Sequence, residues 1–306
     1  MKLIDLTWRP YQVPFRHPFV TAHGILGHRR GALVQIRLEN GSEGSGEIAP
    51  LPEFAGSNLA NILSMLPGLA KDLYERETTD ILSFLASQCQ DGLIPAPLIY
   101  GLETALLDAL AQTDGSSLAA FLANVERVRK TIPVNAVISG ETIEVIVDKA
   151  QAALAAGFTC LKLKVTQPSP RVVEYTAALR AISGPAPRLR LDVNEGWNFE
   201  QARSLLTQCA AYDIEYVEQP LPADDREGMA RLRRATPIPL AADEAVYSLE
   251  QARNLLAMEA ADVLILKPQM LGGFQLCRQI IGEAQKRQVH CVVTSTLDTG
   301  IGVAAA

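Results

Sequence analysis

From about residue 130 onward, short apolar segments alternate with amphipathic helical segments, and this alternation restricts the fold more than any other feature. Strands that alternate with helices form βα units, whose strands lie parallel in one sheet. Seven strands at nearly even spacing, several apolar on both faces, favour an α/β protein with a closed TIM-like barrel over an open doubly wound sheet. No G-x-G-x-x-G follows a strand, so the dinucleotide-binding alternative lacks its fingerprint. The seven segments are IPVNAVIS, CLKLKV, RLRLDVN, EYVEQP, PLAADE, DVLILKP and VHCVVTS.

The first third of the chain has a different pattern. LIDLTWRPYQVPF and GALVQIRLENGSEGSGEIAP predict antiparallel strands with a glycine-rich turn at NGSEG. The stretch between them, residues 16–31, holds three of the four histidines and is predicted to be a mobile surface loop. Helical patterns follow in NLANILSMLPGLAKDLY, TTDILSFLASQ and APLIYGLETALLDALAQ. We therefore expect an α+β domain over residues 1–97 and a barrel over residues 98–306.

Length, charge and cysteine content narrow the class of protein. The 306 residues suffice for two domains or one large barrel. A net charge of −6 without a basic run argues against nucleic acid, so a small molecule is the expected partner, with a homo-oligomer possible. The N-terminus has no apolar leader and no apolar run approaches a bilayer span, which predicts a cytoplasmic protein that does not bind membranes. Five widely spaced cysteines predict reduced thiols.

One ionisable residue recurs near the C-terminal end of five successive strands. These residues are Lys164, Asp192, Glu218, Asp243 and Lys267, with gaps of 28, 26, 25 and 24 residues. A polar residue at the same place in successive βα units converges on one mouth of a barrel, where such folds carry their chemistry.

The three acidic residues among these five predict a metal site. Carboxylates gathered at one mouth repel each other and cannot all stay ionised without a cation. Ligation by oxygen alone suits Mg²⁺, which keeps positions open for substrate oxygens and water. Any one of the three, taken alone, could instead cap the helix that follows its strand. Three in register, flanked by lysines, favour the metal.

The strand CLKLKV places Lys162 and Lys164 on one face. Lysines on an exposed edge strand would serve only to prevent sheet aggregation. As part of the second barrel strand, however, they point into the mouth, where burial and nearby cations favour the neutral amine. A lysine there can act as a base, and Lys267 would stand across the metal. The arrangement suits removal of a proton next to a carboxylate.

These motifs resemble those of the enolase superfamily, in its muconate-lactonizing-like subgroup, over nearly the whole chain. The motifs are K-x-K at Lys162 and Lys164, D-x-N at Asp192 and Asn194, E-Q-P from Glu218, D-E at Asp243 and Glu244, and K-P at Lys267. The resemblance implies a modified (β/α)7β barrel with an N-terminal α+β capping domain. It also implies that Asp192, Glu218 and Asp243 bind Mg²⁺, with Asn194 and Glu244 as neighbours that orient them.

Within this subgroup, GSGEIAPLPEF at residues 44–54 resembles a segment of the o-succinylbenzoate synthases. These lyases dehydrate 2-succinyl-6-hydroxy-2,4-cyclohexadiene-1-carboxylate in menaquinone or phylloquinone biosynthesis. By resemblance, Lys164 would remove the proton next to the carboxylate and then assist loss of the hydroxyl. Lys267 would stabilise the anionic intermediate as a cation, and Lys162 would tune Lys164. Residues 16–31 would close over the substrate, with Arg29 or Arg30 near its succinyl carboxylate.

Several alternatives share the same residues. N-acylamino acid racemases, dipeptide epimerases and muconate cycloisomerases of the subgroup also use paired lysines. A non-catalytic scaffold would be expected to have lost a ligand or a lysine, and none is lost here. The sequence stops at TSTLDTGIGVAAA, before the family's expected eighth strand, so we expect a truncated chain or the ordered part of a longer one.

Overall fold

The structure is a computed structural model that describes residues 1–21, 24–51, 58–74, 76–125, 127–165 and 171–306, without the side chains of residues 17–21, 24 and 90. The chain divides into two compact units. The first comprises Met1–Arg129, Leu266–Gln279 and Val293–Ala306, and the second comprises Lys130–Ile265 and Ile280–Val292. The domain boundary expected between residues 97 and 98 stays a prediction.

The first unit contains an antiparallel sheet of three strands, in the order β1 (Leu3–Thr21), β2 (Gly24–Leu38) and β3 (Glu43–Ile48). β1 and β2 remain paired as far as Thr21 and Gly24. The prediction of a loop at residues 16–31 is therefore wrong, although residues 22 and 23 lie outside the described part. The strand pairs run from Thr21 with Gly24 to Phe19 with Leu26, and then from Pro14 with His28 to Tyr11 with Gly31. The glycines and charged residues of the segment conceal this pairing in the sequence.

Helices pack on this sheet and confirm the three helical patterns of the N-terminal third. The closest contact is made by glycines of β3: a Cβ on Gly44 would lie 2.0 Å from the carbonyl oxygen of Ala105, and one on Gly46 would lie 2.0 Å from that of Gly101. Only glycine permits this approach. The helices are α1 (Leu59–Leu73), α2 (Thr78–Gln90), α3 (Ala96–Thr113) and α4 (Leu118–Ala123).

Seven strands form a parallel sheet in the order β10-β9-β8-β7-β6-β5-β4. Each corresponds to one of the seven predicted segments, which confirms the α/β class. The strands carry buried apolar residues, such as Leu161, Leu189 and Val217. The strands are β4 (Ala136–Ile138), β5 (Cys160–Lys164), β6 (Arg188–Asp192), β7 (Ile214–Glu218), β8 (Leu240–Ala242), β9 (Val263–Leu266) and β10 (His290–Val293).

Helices follow the strands in the expected alternation, and side chains fix where they begin. Asn198 and Gln201 form a reciprocal capping box at α7, and Ser248 caps α9. The helices are α5 (Ile143–Ala155), α6 (Arg171–Ser183), α7 (Phe199–Cys209), α8 (Arg226–Ala235), α9 (Leu249–Ala257), α10 (Pro268–Leu271), α11 (Phe274–Gln285) and α12 (Gly300–Ala305).

Two predictions from composition can be compared with the structure. Within the described residues, none of the five cysteines is joined in a disulfide. Among the helices of the described ranges, none combines the length and the apolar character that crossing a bilayer requires.

Candidate active site

The C-terminal ends of three neighbouring strands bring ionisable residues into one row. Lys164 at the end of β5 pairs with Asp192 of β6, which in turn pairs with Glu218 of β7. Glu218 pairs with Ala241 of β8, and Asp243 follows Ala241 by two residues. The parallel register therefore places these side chains at the same edge of the sheet.

Lys162 connects two of these carboxylates. Its Nζ donates to Glu218 Oε1 at 2.7 Å and lies 2.9 Å from Asp192 Oδ2. Asp192 and Glu218 are 6% and 2% exposed. A lysine ammonium thus bridges two of the three predicted metal ligands.

The charge of Lys162 is stabilised rather than suppressed. Burial alone lowers its pKa, but the charges of Glu218 and Asp192 outweigh burial and raise the pKa above its ordinary value. The expectation that this site favours a neutral amine included a bound metal ion, so it stays a prediction. Without the ion, the carboxylates are partners of the lysine.

The contact with Lys162 does not fully offset the burial of the Glu218 carboxylate. Burial raises its pKa to about 8; Lys162 opposes that shift, while the negative charges of Asp192 and Asp243 add to it. Three acidic groups therefore act on one another at the ends of β6, β7 and β8.

The residues present fit a hard divalent cation. Asp192 Oδ1 is buried and has no hydrogen-bond partner, which is costly unless a cation contacts it. The carboxylates of Asp192, Glu218 and Asp243 supply the oxygen ligands that Mg²⁺ prefers. Across the described residues, no three Asp, Glu, His or Cys side chains already stand in the arrangement of a metal site. The fit rests on the chemistry of the donors and on this buried oxygen.

Asn194 and Glu244 join the loops that follow β6 and β8. Asn194 Nδ2 donates to Glu244 Oε1 at 3.1 Å. Asn194 and Glu195 have φ values of 45° and 63°, in the left-handed region that costs about 1 kcal/mol for a residue other than glycine. Glu195 in turn accepts the N–H of Ala223 at 2.6 Å. Side-chain hydrogen bonds thus hold this backbone conformation.

Gln219 is a residue whose role the sequence did not reveal. Its Oε1 accepts the N–H of Asp243 at 2.9 Å and of Ala245 at 3.3 Å, and its Nε2 donates to the carbonyl of Leu221 at 2.8 Å. The side chain is fully buried and φ is 38°. Gln219 therefore fixes the backbone of Asp243 from the neighbouring strand end. The E-Q-P motif, in which Gln219 is the middle residue, is the sequence feature that could have indicated this role.

Lys267 directly follows β9 and belongs to the first unit. It is the N-cap residue of α10, and its carbonyl accepts the N–H groups of Met270 and Leu271, both at 2.9 Å. The side chain therefore projects from the start of a single helical turn.

Arg29 is buried at 5% exposure and directs its donors at main-chain carbonyls. Nε donates to Leu297 at 2.8 Å, Nη1 to Pro50 at 2.7 Å, and Nη2 to Ala49 and to Thr296. Arg30 is exposed. The predicted contact of either arginine with a substrate carboxylate stays a prediction.

The segment at residues 44–54 has a structural role in the first unit. Besides the packing of its glycines, Glu47 is fully buried and accepts from Tyr11 Oη, from the N–H and Oγ1 of Thr299, and from the N–H of Gly302. Residues 52–54 of the segment lie outside the described part. The residues of this segment that resemble the o-succinylbenzoate synthases therefore include residues that hold the first unit together.

A parallel sheet whose successive strands end in lysines and acidic residues is typical of barrel-like α/β proteins, which carry their chemistry at that end of the strands. Residues 145–306 match the family model described as "Enolase C-terminal domain-like", and residues 5–88 match "MenC, N-terminal domain". The chain therefore belongs to the enolase superfamily.

Similar proteins include enzymes of two kinds. L-Ala-D/L-Glu epimerase of Bacillus subtilis is 30% identical over 317 residues, covering 100% of this chain and 84% of that protein. An o-succinylbenzoate synthase of Desulfotalea psychrophila is 28% identical over 333 residues, covering 100% and 89%. Sequence identity alone does not separate the two activities.

Solved structures confirm the predicted (β/α)7β barrel-like fold with an N-terminal α+β domain. The substrate-liganded B. subtilis epimerase superposes with a TM-score of 0.92 at 29% identity, covering 100% of this chain and 86% of that one. A dipeptide epimerase of Cytophaga hutchinsonii, complexed with Mg and D-Ala-L-Val, gives 0.86 at 27% identity, covering 97% and 80%.

Proposed function

We propose that this protein is an o-succinylbenzoate synthase. The reaction is Mg²⁺-dependent dehydration of 2-succinyl-6-hydroxy-2,4-cyclohexadiene-1-carboxylate to o-succinylbenzoate, a step of menaquinone or phylloquinone biosynthesis. The observation that carries the proposal is the match of residues 5–88 to the MenC N-terminal domain, because the strand-end residues alone are common to several activities. The D. psychrophila relative supports it.

Lys164 is the proposed base. It ends β5 beside Asp192 and so stands in the row of strand-end residues. Its amine takes the proton from the ring carbon that bears the carboxylate. The resulting ammonium then returns a proton to the departing hydroxyl, which leaves as water and completes the aromatic ring. A single lysine acting first as base and then as acid conserves the proton.

The acidic residues have a separate role. Asp192, Glu218 and Asp243 would hold Mg²⁺, which when bound favours negative charge on the substrate carboxylate. Lys162 keeps the carboxylates of Asp192 and Glu218 in place and adds positive charge beside Lys164.

Lys267 is the proposed second lysine, whose cation stabilises the anion formed by proton removal. Asn194 and Glu244 hold the loops next to the acidic residues. Of the two arginines, we propose Arg30 to meet the succinyl carboxylate, because its side chain is exposed whereas the donors of Arg29 are directed at the main chain.

A second candidate function is favoured by the B. subtilis and C. hutchinsonii enzymes. Racemisation or epimerisation of an N-acylamino acid or dipeptide needs two lysines that exchange a proton with opposite faces of one carbon. This chain has Lys164 and Lys267, so these residues permit either reaction.

A direct assay separates the two functions. The purified protein with Mg²⁺ is given the cyclohexadiene carboxylate, and the aromatic product is followed in the ultraviolet, with EDTA as a control. In parallel, L-Ala-L-Glu and N-succinylamino acids are incubated in D₂O and loss of the α-proton is followed by NMR. EDTA-sensitive dehydration supports the proposal. Proton exchange without dehydration contradicts it and supports the second candidate.

A further inference from the structure

Arg29, Gln269, Thr296 and Asp298 form a buried polar cluster in the first unit, called here the Arg29 cluster. Gln269 and Thr296 are 1% and 4% exposed, and the side chains of Arg29 and Asp298 are 6% and 1% exposed. The four residues come from β2, from α10 and from the segment between β10 and α12. Neither the metal ligands nor Lys164 belong to it.

Gln269 is the residue of the Arg29 cluster that lies in α10, the helical turn after Lys267. Its Oε1 accepts the N–H of Ala49 at 2.6 Å. Its Nε2 donates to Asp298 Oδ1 and to Thr296 Oγ1, the latter at 3.4 Å. The amide therefore ties α10 to the end of β3 and to the segment after β10.

Arg29 holds the partners of Gln269 in place. It donates to the carbonyls of Ala49 and Thr296, which belong to the two segments that Gln269 also contacts. Its Nη2 lies 3.8 Å from Asp298 Oδ1. The carbonyl of Leu297, a residue with φ of 60°, accepts from Arg29 Nε at 2.8 Å. A branched residue is strained in this conformation and persists there only where its surroundings impose it.

Helix α10 has only four residues, from Pro268 to Leu271, and cannot fix the position of Lys267 by itself. One helical turn costs more conformational entropy than its own hydrogen bonds recover. Its geometry must therefore be imposed by contacts outside the turn, and Gln269 supplies three of them within two residues of the lysine.

We infer that Gln269 is a positioning residue for Lys267, held by Arg29 and Asp298. The inference deepens the proposed function and rests on it for the catalytic role of Lys267. It applies equally to dehydration and to racemisation, because both require that lysine at a fixed place.

The test compares Gln269→Leu with wild type by hydrogen exchange and mass spectrometry, without substrate or metal. We expect exchange of the peptides that cover residues 267–271 and 294–299 to become about tenfold faster, while peptides of α7 are unchanged. Gln275→Leu is the matched control, because Gln275 lies in α11 and its side-chain amide is directed at Leu82 and Glu103 rather than at the Arg29 cluster. This control should leave the turn after Lys267 at the wild-type rate.

Kinetics supply the second measurement, with whichever activity the wild type displays. For Gln269→Leu we expect kcat to fall about 10- to 100-fold and KM to stay within about twofold, since a misplaced lysine impairs chemistry more than binding. Asp298→Asn keeps an oxygen that can accept from Gln269, so it should retain more activity than Gln269→Leu.

Two results would overturn the inference: wild-type exchange in the turn after Lys267, or equal acceleration in every peptide, which would indicate general loss of stability. If Gln269→Leu does not fold, Gln269→Glu serves instead, because it keeps an acceptor for Ala49 but faces Asp298 with a second carboxylate. The exchange data need no substrate. Local loosening in a protein that dehydrates nothing would therefore refute the proposed function and leave the positioning role of Gln269 intact.

Discussion

Lys162 Nζ donates a hydrogen bond to Glu218 Oε1 across 2.7 Å, and Glu218 is almost completely buried. With Asp192 at 2.9 Å, this lysine neutralises part of an acidic cluster from inside the protein. Removing one partner of a buried ion pair costs about 3–5 kcal/mol, because the remaining charge is left uncompensated.

Lys162→Met should therefore lower the free energy of unfolding by about 3 kcal/mol in EDTA. Mg²⁺ should restore more stability in the variant than in wild type, since the ion then no longer competes with an ammonium group. Thermal unfolding with EDTA and with Mg²⁺ measures both effects. Lys149→Met, at an exposed lysine that donates to the carbonyl of Ser139, is the control. Unchanged stability in EDTA would contradict the bridging role.

Lys164→Ala should abolish turnover and leave Mg²⁺ binding nearly intact, because Lys164 is the proposed base and not a ligand. Asp192→Ala should weaken Mg²⁺ binding, because it removes a proposed ligand. Calorimetric titration with Mg²⁺ and the dehydration assay separate the two effects. Normal turnover by Lys164→Ala would remove this residue as the base.

Gln219→Met should weaken Mg²⁺ binding about 10- to 100-fold while all three acidic residues remain, because the N–H of Asp243 loses its acceptor. Calorimetry with Mg²⁺ is again the measurement. Gln208→Met, in an exposed position on α7, provides a matched substitution away from the strand ends. Equal affinity in the two variants would show that the Asp243 loop keeps its position without Gln219.

Glu103 should make stability depend on pH. Burial raises the pKa of Glu103 to about 7. The carboxylate also accepts hydrogen bonds from the N–H groups of Phe274 and Gln275, which lower the pKa but do not cancel the effect of burial. A raised pKa in the folded state contributes stability that is complete below about pH 4.5 and is lost as the pH rises through 7. Urea unfolding between pH 5 and pH 8 should show a loss of up to about 3 kcal/mol.

In Glu103→Gln this loss should largely disappear, since the side chain no longer ionises. Glu200→Gln, at an exposed glutamate on α7, should keep the wild-type profile. A Glu103→Gln profile as steep as that of wild type would exclude Glu103 as its source.

Gly46→Ala should destabilise the protein by about 3 kcal/mol, because the new Cβ would meet the carbonyl oxygen of Gly101 in α3. Gly27→Ala is the control: a Cβ there meets nothing within 4 Å. The two midpoints of thermal unfolding give the comparison. Similar midpoints would mean that β3 and α3 can separate without cost.

The strands and helices of the parallel sheet could be predicted from the sequence because each has a local hydrophobic periodicity. The segment CLKLKV identifies β5 and the face of Lys162, and period-two alternation needs no knowledge of distant residues. The row formed by Lys164, Asp192 and Glu218 follows once the strands are parallel.

The features that the sequence did not predict depend on contacts between residues that are far apart in the chain. Residues 16–31 lack apolar alternation, yet pairing of β1 with β2 makes most of them strand. The roles of Gln219 and Gln269 depend on backbone N–H groups supplied by other segments. Arg29 lies in the segment that was predicted to be a surface loop, but it is buried, because it binds carbonyls of residues 20 and 268 positions away.

That separation also bears on the order of folding. Adjacent strands of the second unit lie one βα unit apart, so their pairing closes short loops and can begin early in synthesis. The bond from Arg29 to Leu297 cannot form until residue 297 has left the ribosome. The turn after Lys267 therefore reaches its final geometry late, and a nascent chain carries Asp192, Glu218 and Asp243 before it can hold Lys267 in place.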